Sequence, residues 1–107
     1  METQWQPEDT ASLSQAIARC ERELPGWWWS IGACSISSDA TVKTGRATVG
    51  PEPQSKLGWI LDDPVCDAGF DNDLRQPSSC AEALNGAIDM ALAYLAQKNL
   101  KPDGRVA

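Results

Sequence analysis

The chain of 107 residues contains no histidine. That absence removes the commonest base for a serine or cysteine nucleophile and the commonest zinc ligand. Its four cysteines, Cys20, Cys34, Cys66 and Cys80, form no C-x-x-C pair, so the usual zinc spacings are missing as well. Basic residues are few, with nine Lys and Arg against 15 Asp and Glu, and none of their groups exceeds two. A net charge of −6 opposes direct binding to a phosphate backbone, whose affinity comes from neutralising phosphates. An acidic balance instead favours a protein partner with a basic surface, or serves nothing beyond solubility. No apolar run approaches the roughly 18 residues that span a bilayer, which argues against a membrane segment. The opening Met1-Glu2-Thr3-Gln4-Trp5-Gln6-Pro7-Glu8-Asp9 is acidic and polar, unlike a secretory signal. The expected compartment is therefore the cytoplasm, where the thiols stay reduced and pack as small hydrophobes. Glycines are dispersed around expected strands and turns, and no phosphate-cradling loop, repeat or low-complexity segment is present.

What the chain does hold is an apolar fraction of 42%, enough to build one modest core. Residues 1–9 read as a loose acidic arm, with Trp5 as its anchor. From Thr10 to Leu24 the residues Leu13, Ala16, Ile17, Cys20 and Leu24 form a helical stripe, started by Thr10 or Ser12 and stopped by Pro25-Gly26. Trp27-Trp28-Trp29 follows at once. Such a run suits a strand over 27–37, with Trp27 and Trp29 on one face and Trp28 on the other. The apolar parity shifts near Ala33, which predicts a bulge or bend there. A second strand covers Thr41–Val49, and the alternation of Leu57, Trp59 and Leu61 predicts a third.

Asp62 to Gln76 reads as an acidic connection carrying Asp62, Asp63, Asp67, Asp71 and Asp73, pinned to the body by Val65, Cys66 and Phe70. Ser79 and Glu82 then form a capping box that opens a second helix. Leu84, Ile88, Ala91, Leu92 and Leu95 make its main stripe. Ala83, Ala87, Met90 and Tyr94 adjoin it, so the apolar face is broad: a core face first, a homodimer seam second. Lys98 and Lys101 suit the end of this helix, Pro102 terminates it, and Asp103–Ala107 is expected to fray. The organisation is an arm over 1–9, one domain over 10–101 and a tail over 102–107. Its order is α-β-β-β-α. The fold class is α+β, a small three-stranded antiparallel sheet with two helices on one face.

Few residues offer chemistry. Asp71-x-Asp73 begins like a calcium loop and Glu82 falls at its twelfth position, but Arg75 and Gln76 stand where a ligand and a glycine are needed. Asp62-Asp63 could serve hydrolysis or hold magnesium, yet a solvated acidic loop is the commoner meaning of such a pair. The expectation is no metal, no cofactor and no catalysis. Two features remain for partner binding. One is the acidic segment; the other is Trp28, with Tyr94 and Met90, as an exposed anchor. Trp27, Trp29 and Trp59 are expected in the core.

Three stretches carry a resemblance: Leu24-Pro25-Gly26-Trp27-Trp28-Trp29-Ser30-Ile31-Gly32, Asp67-Ala68-Gly69-Phe70, and Pro77-Ser78-Ser79-Cys80-Ala81-Glu82-Ala83-Leu84. Together they resemble small phage and prophage proteins of alphaproteobacterial genomes with a helix–sheet–helix, or ABA sandwich, domain. The likeness spans most of residues 10–98 and implies the α-β-β-β-α order and a phage origin, without an activity. The double-stranded-RNA-binding domain shares that order, but it grips phosphates with a lysine-rich turn before its last helix. Here Gln76–Glu82 contains no lysine and ends in an acid. The functional expectation is a non-catalytic phage-derived binding module whose aspartates imitate phosphates on a basic host surface, as an inhibitor of a defence complex would. The alternative is a structural or accessory virion protein acting by self-association along the second helix.

Overall fold

The computed structural model describes residues 7–35, 43–52, 69–77 and 79–107. Helix α1 runs from Pro7 to Glu23, strand β1 from Trp28 to Ser35, β2 from Lys43 to Gly50, β3 from Phe70 to Pro77, and helix α2 from Cys80 to Gln97. Among the described residues the order is α-β-β-β-α, and both neighbouring strand pairs are antiparallel in the spatial order β1-β2-β3. This is the α+β class read from the sequence, although its third strand is a different segment. The strand expected over Leu57–Leu61 lies outside the described residues. β3 instead comes from the second half of the acidic stretch, which is not a loop there.

Helix α1 begins earlier than its apolar stripe does. Proline at the first helical position has no N–H to leave unpaired and a φ already suited to the helix, so Pro7 starts it. Thr10 and Ser12 therefore sit inside the helix, and Pro7, Glu8 and Asp9 belong to it and not to a loose arm. The stripe itself is in place, with Ala16, Cys20 and Leu24 buried and Ile17 packed against them. Leu24-Pro25-Gly26-Trp27 then closes a turn through the Trp27 N–H and the Leu24 carbonyl at 3.1 Å. Gly26 takes φ 83° there, which proline followed by glycine supplies most readily.

β1 pairs with β2 without interruption from Trp28 opposite Gly50 to Ser35 opposite Lys43, so the bulge expected near Ala33 is absent. The irregularity falls on β3. Asp73 faces Arg46 but Pro77 faces Thr44, and β3 takes more residues than β2 to cover the same interval. Alternation divides the sheet cleanly. Trp29, Ile31, Ala47, Val49, Phe70 and Leu74 join the core.

Helix α2 lies across all three strands and also packs against α1. Its Ala81, Ala83, Leu84, Ala87, Ile88, Ala91 and Leu95 are buried, which consumes most of the broad apolar face noted in the sequence. Alanines let the helix approach closely, while Leu84, Ile88 and Leu95 fill the space between layers. The capping box is complete: the Glu82 N–H donates to Ser79 Oγ at 3.1 Å and the Ser79 N–H to Glu82 Oε1 at 3.0 Å. Such a cap is worth about 1 kcal/mol. At the other end Asn99, with φ 56°, closes the helix: Leu100 N–H bonds Leu95 O at 2.9 Å and Asn99 N–H bonds Ala96 O at 3.1 Å.

Arg19 ties the helices together. Its guanidinium donates to Glu23 at 2.8 Å, to Asn85 Oδ1 at 3.0 Å and to Asp89 at 2.6 Å. The bonds to Asp89 and then Glu23 hold its pKa above the ordinary arginine value.

The tail is not frayed. Leu100 bridges to Val106, Lys101 N–H donates to Arg105 O at 2.7 Å, and Gly104 N–H donates to Lys101 O at 2.9 Å. The returning segment meets the tryptophan stretch, because the Trp27 indole N–H donates to the Pro102 carbonyl at 3.0 Å.

Candidate functional site

The sheet face turned away from α2 gathers what the sequence offered for binding. Strand alternation puts Trp28 and Ser30 of β1, Arg46 and Thr48 of β2, and Asp71 and Asp73 of β3 on it. Each apolar neighbour along those strands points the other way. Trp28, Asp71 and Asp73 are thus brought onto one surface. Asp62, Asp63 and Asp67, the remaining acidic candidates, lie outside the described residues.

Asp71 is the best-defined member. Arg46 Nε and Nη2 donate to its two oxygens at 3.1 and 3.0 Å, and Thr48 Oγ1 donates to Oδ1 at 2.9 Å. Two parallel N–H···O bonds match the arginine fork to the planar carboxylate and fix its orientation. The Arg46 hydrogen bonds, first among the causes, hold the Asp71 carboxyl below the ordinary aspartate range, against a smaller opposing effect of burial. Asp73 stands directly opposite Arg46 in the ladder.

Sequence reasoning missed Arg46 and Thr48. The acidic stretch contains no base between Asp62 and Asp73, yet β2 delivers one from 25 residues upstream of Asp71. Alternation of Gly45, Ala47 and Val49 with Arg46 and Thr48 was a usable sign of their shared face. Which strand would meet them was not readable, because pairing register is a tertiary property.

Trp28 is only half-exposed, and it is not a free anchor. Its ring lies on Gly50 and Gly69; a Cβ added at Gly69 would come within 2.6 Å of it. The indole N–H donates to the Pro51 carbonyl at 3.2 Å. The ring thus closes one end of the outer face and keeps one edge in water. Tyr94 and Met90, suggested as its companions, stand elsewhere: Tyr94 packs edge-on to Phe70 with centroids 5.2 Å apart, and Met90 is exposed on α2. Trp27 is buried and stacks on Phe70, with Trp29 packed against the same core. Trp59, the third tryptophan assigned to the core, lies outside the described residues.

Among the described residues no three His, Cys, Asp or Glu side chains converge as a metal site. Cys20 and Cys80 are free thiols inside the fold, and burial is the first cause that pushes both pKa values up. The Cys80 S–H donates to the Gly32 carbonyl at 3.3 Å. Such thiols are protonated at neutral pH and act as packing groups. Among the described residues no helix is long and apolar enough to cross a membrane.

The chain matches no protein-family model, no curated protein and no solved structure.

Proposed function

We propose that this protein is a non-catalytic, phage-derived binding module that meets a basic protein partner through the outer face of its sheet and the aspartates of its acidic segment. The observation that carries this reading is the convergence of Trp28, Asp71 and Asp73 on one surface opposite the helices. The fold gives that surface a rigid backing, since the core-facing side of the same strands is packed against α2. Rigid presentation lowers the entropic cost of binding. Arg46 narrows the proposal. It compensates much of the charge of Asp71, so the field that attracts a partner comes from the wider acidic balance of the chain and from Asp62, Asp63 and Asp67. Inhibition of a host nucleic-acid-binding or defence complex is the biological form this reading takes, with carboxylates standing where phosphates would.

Self-association along α2, as in a virion component, has less to build on. Among the described residues the large hydrophobics left exposed are Met90 and Val106, which do not form a seam.

The test compares the wild-type chain with a variant in which Asp62, Asp63, Asp67, Asp71 and Asp73 become asparagine. Both are immobilised and exposed to the same bacterial lysate, then eluted with salt. A protein retained by the wild type, released by salt and missing from the variant supports acidic recognition. Equal capture by both removes it. Light scattering of the purified chain decides the virion reading, which requires a dimer or larger assembly.

A further inference from the structure

The tail from Asn99 to Ala107 is built unlike the body it rests on. Its own bonds are local: Leu100 to Val106, Lys101 to Arg105, Gly104 to Lys101, Ala107 to Asn99. Asp103 and Arg105 add an ion pair at 2.7 Å, both side chains being exposed. Of its residues, Gly104 is buried and Leu100 packs against the core, whereas Lys101, Asp103, Arg105, Val106 and Ala107 are exposed. A segment with so little buried apolar surface has little to hold it down except specific bonds.

One such bond stands out. The Trp27 indole donates to the Pro102 carbonyl at 3.0 Å, across 75 residues of sequence. Behind that indole lies an aromatic row. Trp27 stacks on Phe70 with centroids 6.1 Å apart, Phe70 meets Tyr94 edge-on, and the Lys98 ammonium sits 5.5 Å from the Tyr94 ring centre. The row links the entry to β1, the first residue of β3 and the last turns of α2. The tail covers the end of it where the indole N–H would otherwise face water.

We propose that residues 101–107 form a strap at the Trp27 end of the Trp27–Phe70–Tyr94 row that opens by itself, without unfolding of the body and with Asn99 and Leu100 staying as the cap of α2. Opening breaks the local hairpin bonds and the indole–carbonyl bond and wets the Trp27 edge. It leaves α2 and the sheet paired, because their contacts lie among Leu84, Ile88, Ala91, Ala47 and Val49. The proposal goes beyond the outer sheet face and does not depend on what that face binds.

Hydrogen exchange of the full chain, followed by NMR, tests it. The Trp27 indole proton and the amides of Lys101 and Gly104 are compared with the amides of Ile88 and Ala91 in α2. A strap that opens locally leaves the first group at least about tenfold less protected than the second. A smaller difference overturns the proposal, since the strap then opens only with the body. Trp27→Phe keeps an aromatic ring but removes the donor. Its expected effect is faster exchange at Lys101 and Gly104, several-fold more than at Ile88 and Ala91; an equal change at all four also overturns it. Should that variant fail to fold, the wild-type comparison still decides.

Discussion

Asn72 of β3 reaches from the core face of the sheet to the backbone of α2, where its amide donates to the Ala83 carbonyl at 3.0 Å beside Gly86. A Cβ at Gly86 would collide with that amide nitrogen. Glycine inside a helix normally costs about 1 kcal/mol relative to alanine, and here it makes the space for a polar contact between layers. The pair explains how a polar residue is tolerated on the face that packs against a helix.

Gly86→Ala is therefore expected to destabilise the fold despite the better helix former, by about 1–3 kcal/mol in urea unfolding. In combination with Asn72→Ala the penalty of Gly86→Ala should shrink. Additive effects of the two substitutions would mean that they do not share this contact.

Trp28→Ala should lower stability by about 2 kcal/mol, because its ring covers Gly50 and Gly69 and its removal leaves that surface uncovered. Loss of partner binding in this variant would therefore not isolate a binding role. Trp28→Phe drops the bond to Pro51 and also withdraws the far edge of the indole, whose Cζ2, Cε2 and Cη2 lie on Gly50 and Gly69, so it should cost part of the Trp28→Ala loss in urea unfolding.

The ion pair of Asp71 sets a modest acid sensitivity. Its folded pKa lies below the unfolded value of about 3.9, so its contribution is fully present above that value and is lost as pH falls through the folded pKa. Both partners are exposed, and the contribution should stay under about 1 kcal/mol. Asp71→Asn should accordingly shift the urea midpoint slightly at about pH 7, and the difference from wild type should shrink as the pH falls through the folded pKa. High salt should shrink the difference at neutral pH.

Cys20 and Cys80 should resist a charged alkylating reagent at neutral pH in the folded chain and react in denaturant. Peptide mapping by mass spectrometry reads the two sites separately from Cys34 and Cys66. Rapid labelling of either without denaturant would contradict its burial.

Much of this fold is readable one segment at a time. The stripe of Ala16, Cys20 and Leu24 specifies α1, and the reciprocal bonds of Ser79 and Glu82 specify where α2 begins, because both depend on residues within a turn or two of each other. Pro25-Gly26 marks the break before the tryptophans for the same reason. The binding face was only half legible. Asp71 and Asp73 stood out by charge, but Asp71-Asn72-Asp73 has poor strand propensity and a polar residue on each face, so it reads as a loop. Its strand character comes from β2, whose Arg46 and Thr48 receive Asp71, and from Ala83 on α2, which receives Asn72.

The sequence by itself determined both helices, the break between the first helix and the sheet, and the α+β order, since local periodicity and capping chemistry carry that information. Only the tertiary structure decided that Phe70–Pro77 is the third strand, that Arg46 answers Asp71, and that the tail returns to Trp27. Those outcomes depend on partners 21 to 75 residues away along the chain, and no local pattern names a distant hydrogen-bond partner.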